Sequence, residues 1–169
     1  MRRQWSELAG VLLRPATIHA DDRGNFTKLL DEPTRLTQVC SSFNLSRATV
    51  RGLHVQVEPF PEVKTLWCSA GAIWDVLVDV RPDEPTFGDW TAIELTAEDP
   101  HVLTVPPGVA HGYQVLADSS TVIYLIDGAF APEAARTLAW DDPAVGIAWP
   151  LEATLISDND RRGSPWPLS

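Results

Sequence analysis

The chain is poor in several residue types, and each shortage excludes something. Its 169 residues include two lysines, two tyrosines, two cysteines and one methionine. Positive charge is scarce overall: 13 Lys and Arg face 23 Asp and Glu, a formal net charge of −10. A surface that neutralises nucleic-acid phosphates is not expected from such a balance, although a few local arginines can still hold a small phosphorylated ligand. Cys40 and Cys68 lack metal-type spacing and read as free thiols of a cytoplasmic protein. No apolar run is long enough to span a bilayer, so no membrane association is expected. Arg2 and Arg3 precede only the short apolar stretch Ala9 to Leu13, too short for a signal core. There is no His-x-His pair, and His19 and His101 fall in expected turns. A metal site needs about three convergent ligands, so neither metal nor other cofactor is expected. Dinucleotide, P-loop and Gly-x-Ser-x-Gly signatures are also missing.

What the chain does have is punctuation. Fourteen prolines and ten glycines divide it into short segments, without repeats or a linker. Val63–Ser69, Ala72–Val80, Thr91–Thr96, Val102–Val105, Gly112–Leu116 and Thr121–Ile126 read as strands. Many short strands with regular turns predict one all-β sandwich or barrel domain over 1–169. Only Pro132–Thr137 and the stretch Leu151–Asp160 suit a turn or short helix, and Gly163–Ser169 reads as an irregular tail.

Three polar groups stand out. In Arg51-Gly52-Leu53-His54-Val55-Gln56, simple strand alternation puts Arg51 and Leu53 on one face, and His54 and Gln56 on the other. A histidine beside an arginine suits a general base near an anion site, and equally a surface ion pair. Lys64 enters an otherwise apolar strand, where it suits an oxyanion partner or a strand-end lysine with its tip in water. A Pro106-Pro107-Gly108 turn delivers His111 to a strand, with Tyr113 on the same face.

Taken together these segments resemble the dTDP-4-dehydrorhamnose 3,5-epimerase family from about Val11 to Pro165. The residues that carry the resemblance are Asp22-Arg23-Gly24-Asn25-Phe26, Val50 to Gln56, Lys64 and Gly71 to Val76. They continue with Asp79-Val80-Arg81, Pro85 to Trp90, Pro106 to Tyr113, Asp142-Pro143 and Gly146 to Pro150. The resemblance implies a double-stranded β-helix (cupin, jelly-roll) barrel with a few short helices and a C-terminal tail over 151–169. It implies a cofactor-free isomerase that removes and returns a proton beside the ketone of a nucleotide-linked 4-keto-6-deoxy sugar. By position, His54 would be the base, Asp160 the carboxylate that orients it, and Lys64 the oxyanion partner. His111 would line the sugar pocket, with Gln56 a further substrate contact, and Arg51 would hold the pyrophosphate. Arg23, Phe26 and Lys28 would meet the nucleotide across a homodimer in which the N-terminal strand is exchanged.

The chain also departs from the family pattern. The resemblance places a proton-donating tyrosine at the position of Ala129. Lys28 stands where a glutamate is usual, and Cys40-Ser41-Ser42-Phe43-Asn44 replaces a Gln-x-Asn-x-Ser segment. Tyr113, usually phenylalanine, suits a tyrosine filling that phenylalanine's place in the core, or else it or a water serves as the substitute acid; Tyr124 is expected to be structural. With the acid missing at Ala129, epimerisation is expected at one carbon, C3 rather than C5. The altered segment also leaves room for a repurposed isomerase or cyclase acting on another carbonyl compound, or for a binding barrel without chemistry.

Overall fold

In the computed structural model, residues 8–31 and 36–168 are described. Thirteen strands and one helical turn are present among them. One sheet holds β1 (Leu12–Pro15), β9 (His101–Val105), β6 (Val63–Ala70), β11 (Ser120–Asp127) and β4 (Gln38–Asn44), in that order. The other holds β12 (Ala135–Thr137), β5 (Thr49–Gln56), β10 (Val109–Val115), β7 (Ala72–Asp79) and β8 (Trp90–Thr96). A short β13 (Leu155–Ile156) runs parallel to β5. β2 (Thr17–Asp21) and β3 (Gly24–Lys28) form a separate hairpin. The expected all-β class holds, and the two sheets are the two halves of a jelly-roll barrel.

Alternation explains the packing. Leu66, Ile73, Leu77, Leu95, Leu103, Val109 and Val122 point inward and form the core between the sheets. Leu53, Val55, Val76 and Val78 point outward from the second sheet, where Leu138, Val145, Trp149 and Trp166 cover them. Residues 138–168 are therefore a strap laid over that sheet. Asp142 fixes the strap, accepting from the N–H groups of Ala144 (2.7 Å) and Trp166 (2.8 Å).

Two expectations are met in part. Pro132–Thr137, expected as a turn or short helix, opens with a turn and continues as β12, which pairs with β5. In the stretch 151–169 the expected short helix is present as α1 (Asp158–Arg161); β13 precedes it, and Ser164 bridges to Leu138 within the expected irregular tail. A two-residue strand and isolated bridges leave too little periodicity to read from sequence. Among the described residues no helix is long and apolar enough to cross a membrane.

Candidate functional site

Strand β5 does not alternate simply. His54 pairs with His111 on β10, but Arg51, three residues earlier, pairs with Tyr113, only two residues later. The extra residue is a bulge around Gly52. Gly52 has φ of 109°, and a Cβ there would lie 2.7 Å from the Gly112 Cα and 2.8 Å from the His111 carbonyl. Only glycine fits this crossing. The bulge overturns the expected facing of β5: Arg51 and His54 share the inner, solvent-open side, while Leu53 is buried on the outer side.

His54 Nε2 lies 2.7 Å from Asp160 Oδ1. The imidazole is 47% exposed and the carboxylate 5%. Ser157 caps α1 by accepting from the Asp160 N–H at 3.1 Å. The second oxygen of Asp160 accepts from the Gly52 N–H at 3.2 Å. Burial works against the charged Asp160, but His54, Gly52 and Ser157 together outweigh it and hold the carboxyl below its ordinary range. An ionised Asp160 accepts a hydrogen bond from Nε2–H, which leaves Nδ1 as the nitrogen with the free lone pair.

Lys64 is nearly buried and paired with Glu62 at 2.9 Å. Its ammonium also donates to the His54 carbonyl at 3.3 Å. Deeper in, His111 Nε2 lies 2.8 Å from Asp75 Oδ2. Burial pushes the Asp75 carboxyl up, opposed by His111 and by the Lys64 charge. Asp75 Oδ1 has no hydrogen-bond partner among the described residues.

The opposite wall is phenolic. Tyr124 on β11 meets the His111 ring edge-on at 6.0 Å. Burial, then the neighbouring Tyr113 and the Asp75 charge, push its hydroxyl well above its ordinary value, with Arg51 opposing. Tyr113 is 1% exposed. Its hydroxyl lies 2.8 Å from Ser42 Oγ and donates to Asn44 Oδ1 at 3.3 Å. Arg51 Nε donates to the same Asn44 oxygen at 2.7 Å.

The structure thus brings His54, Asp160, Lys64, His111, Tyr113 and Arg51 to one end of the barrel interior. Gln56 lies beside Glu62 and Lys64, but its amide is turned to other work. That amide is buried and committed to the backbone: it donates to Phe60 O and Ala129 O and accepts from Ala131 N–H. Ala129 itself is in an exposed loop. Arg23 pairs with Asp21 and Lys28 with Asp31 on the exposed hairpin; with Phe26, they stay outside the interior within one chain. Sequence reading gave Glu62 no role and set Tyr124 aside. Glu62 lies two residues before Lys64, the same-face spacing of a strand, and that was the available signal. Among the described residues, no group of three His, Cys, Asp or Glu is placed to hold a metal ion.

A jelly-roll barrel with a histidine–aspartate pair, a lysine and two phenols in its mouth has the parts of an isomerase that moves protons at carbon. The family model for dTDP-4-dehydrorhamnose 3,5-epimerase matches residues 6–167, and the chain belongs to that family; it is an isomerase of the carbohydrate-epimerase kind. An enzyme of that name from Sinorhizobium fredii is 39% identical over 158 residues, covering 88% of this chain and 80% of its own. The Bacillus anthracis enzyme, solved with TDP and PPi bound, superposes with a TM-score of 0.89 at 32% identity, covering 92% of this chain and 94% of its own. ChmJ, a 3′-monoepimerase from Streptomyces bikiniensis solved with dTDP, superposes at 0.88 with 28% identity, covering 98% and 86%.

Proposed function

We propose that the protein epimerises a dTDP-linked 4-keto-6-deoxy sugar by taking a proton from a carbon beside the ketone and returning one to the opposite face. The observation that carries this reading is the His54–Asp160 pair beside His111, whose ring is met edge-on at 6.0 Å by Tyr124 from the other sheet. Epimerisation needs an acid and a base on opposite faces of the sugar. His54 takes the proton, and Asp160 stabilises the imidazolium. Lys64 stabilises the enolate oxygen, and His111 lines the pocket. Tyr124 returns the proton; its raised pKa keeps it protonated for that step. The nucleotide-bound relatives support a dTDP substrate, with Arg51 on the pyrophosphate.

On this reading the acid position is Tyr124, and the alanine at 129 removes nothing from it. The crystallised ChmJ variant carries a His-to-Asn and a Tyr-to-Phe replacement 70 positions apart; His54 and Tyr124 are 70 positions apart here. The expectation of C3 alone then loses its ground. Tyr113 becomes a neighbour of the acid rather than its substitute.

The active form in this proposal is a cytoplasmic homodimer of one-domain chains, with β2–β3 as the exchanged element. The hairpin's exposure supports this: Phe26 is 67% exposed and Ile18 48%. It would bring Arg23, Phe26 and Lys28 to the partner's nucleotide.

The test is incubation in deuterated water with dTDP-4-keto-6-deoxyglucose, read by NMR. Exchange at C3 alone would match a monoepimerase, and exchange at both carbons a 3,5-epimerase. Loss of product epimer in both His54→Asn and Tyr124→Phe is expected. No exchange and no dTDP binding by the unaltered protein would overturn the proposal. A repurposed isomerase would then stand, favoured by the altered β4 face at Cys40, Ser42 and Asn44.

A further inference from the structure

Strand β4 is an edge of one sheet, and β5 belongs to the other. A side-chain bond joins them: Arg51 Nε donates to Asn44 Oδ1 at 2.7 Å. The two ends of that bond differ. Arg51 is exposed, and among the described residues its terminal nitrogens have no hydrogen bond or ion pair. Asn44 is 2% exposed and fully committed. Its amide nitrogen donates to Ser42 O and Ser120 O, both at 3.2 Å. Its oxygen also accepts from the Tyr113 hydroxyl at 3.3 Å, and that hydroxyl lies 2.8 Å from Ser42 Oγ. These four bonds use every hydrogen-bonding position of a primary amide. Turning the amide over would set its NH2 against the Arg51 donor, so the oxygen is fixed toward the guanidinium.

A partner of this kind orients an arginine without discharging it. A carboxylate in the same place would also cancel the charge. The amide oxygen leaves the positive charge uncompensated, and the planar guanidinium keeps its terminal fork for an anion. A side chain ordered beforehand also spares the ligand that entropy cost. We infer that Asn44 is a positioning residue that presents Arg51 to the substrate's diphosphate and is itself held by Tyr113 and Ser42. The inference rests on the reading that Arg51 meets the pyrophosphate. All three supporting residues stand where the chain departs from the family pattern: Ser42 and Asn44 in the altered β4 segment, Tyr113 in place of the usual phenylalanine. The departures form one hydrogen-bonded unit around the Arg51 anchor.

Thymidine and dTDP differ only in the diphosphate, and NMR titration of the full chain reads the Kd of each. In Asn44→Ala the Kd for dTDP is expected to rise about tenfold, and that for thymidine by less than about twofold. Arg51→Gln removes the guanidinium. In that background Asn44→Ala is expected to change dTDP binding by no more than about twofold, because it acts only through Arg51. Unchanged dTDP binding in Asn44→Ala overturns the inference. Equal weakening of both ligands, or the same loss with and without Arg51, overturns it too, since either marks a packing role. If Asn44→Ala does not fold, Tyr113→Phe takes its place in the same cycle and keeps the ring. About a threefold loss of dTDP affinity is then expected with Arg51 present and none without it; equal losses, or none in either background, overturn the inference. Arg51→Gln alone is the separate control: dTDP bound as tightly as by the unaltered protein overturns the underlying reading instead.

Discussion

His54 and Asp160 are 106 positions apart in the chain, and their side chains meet at 2.7 Å. The aspartate comes to the histidine because β13 lies parallel to β5 and α1 follows at once. Replacing Asp160 with Asn keeps the shape but offers an amide where a carboxylate selected the tautomer. Turnover is expected to fall by about a hundredfold or more, within the usual worth of a positioned base, with KM little changed. Steady-state kinetics of Asp160→Asn measure this.

Lys64 and Glu62 are both nearly buried, so each depends on the other. On the proposed mechanism Lys64→Met removes the enolate partner and is expected to lower kcat by about 10²–10³. Glu62→Gln leaves the ammonium in place with a neutral neighbour. It is expected to lower kcat less than Lys64→Met does. Measuring the two variants side by side separates the lysine's charge from its positioning.

Gly52 is where the barrel tolerates no side chain. Gly52→Ala combines a left-handed φ with contacts of 2.7 and 2.8 Å to the neighbouring strand. The expected loss is at least about 2 kcal/mol, seen as a melting temperature lower by several degrees. Any folded fraction should have a displaced His54 and low activity.

Gln56→Ala tests a residue that looked like a substrate contact. Three backbone groups lose their partner, at an expected cost of about 2 kcal/mol or more. Thermal melting should report that loss, while KM stays near that of the unaltered protein. A raised KM with unchanged stability would restore Gln56 to the pocket.

Acid stability follows from Asp79 and Asp160. At Asp79 burial opposes the charge, but Arg81 and Thr86 win, so both carboxyls are held below 3.8 in the folded state. A lowered pKa stabilises the fold at pH above the unfolded value, and that contribution fades as pH falls through the folded one. Stability should therefore decline progressively below pH 3.8. Denaturant titrations of Asp79→Asn across that range should give a flatter decline.

Much of the barrel was legible because Ile73 to Val80 and its neighbours carry period-two patterns that only a strand satisfies. The bulge at Gly52 was not, because one inserted residue is invisible to alternation, and it inverted the facing of Arg51 relative to His54. Gln56 looked functional because its side faces inward; what it bonds depends on a loop 73 positions away. Tyr124 looked structural because the resembled family often has a tyrosine at that position. Its meeting with His111 is set by two sheets folding over each other, which no local pattern encodes.

The strap gives the enzyme a temporal order. Asp142, Ser157 and Asp160 all lie in the final 28 residues of the chain. A ribosome releases them after every inner strand of the barrel has already emerged. The nascent protein can thus assemble its inner strands before His54 has its carboxylate partner. The His54–Asp160 pair closes only when that segment docks on the outer sheet. A protease cut between Asp142 and Asp160 would return the molecule to that earlier, inert stage.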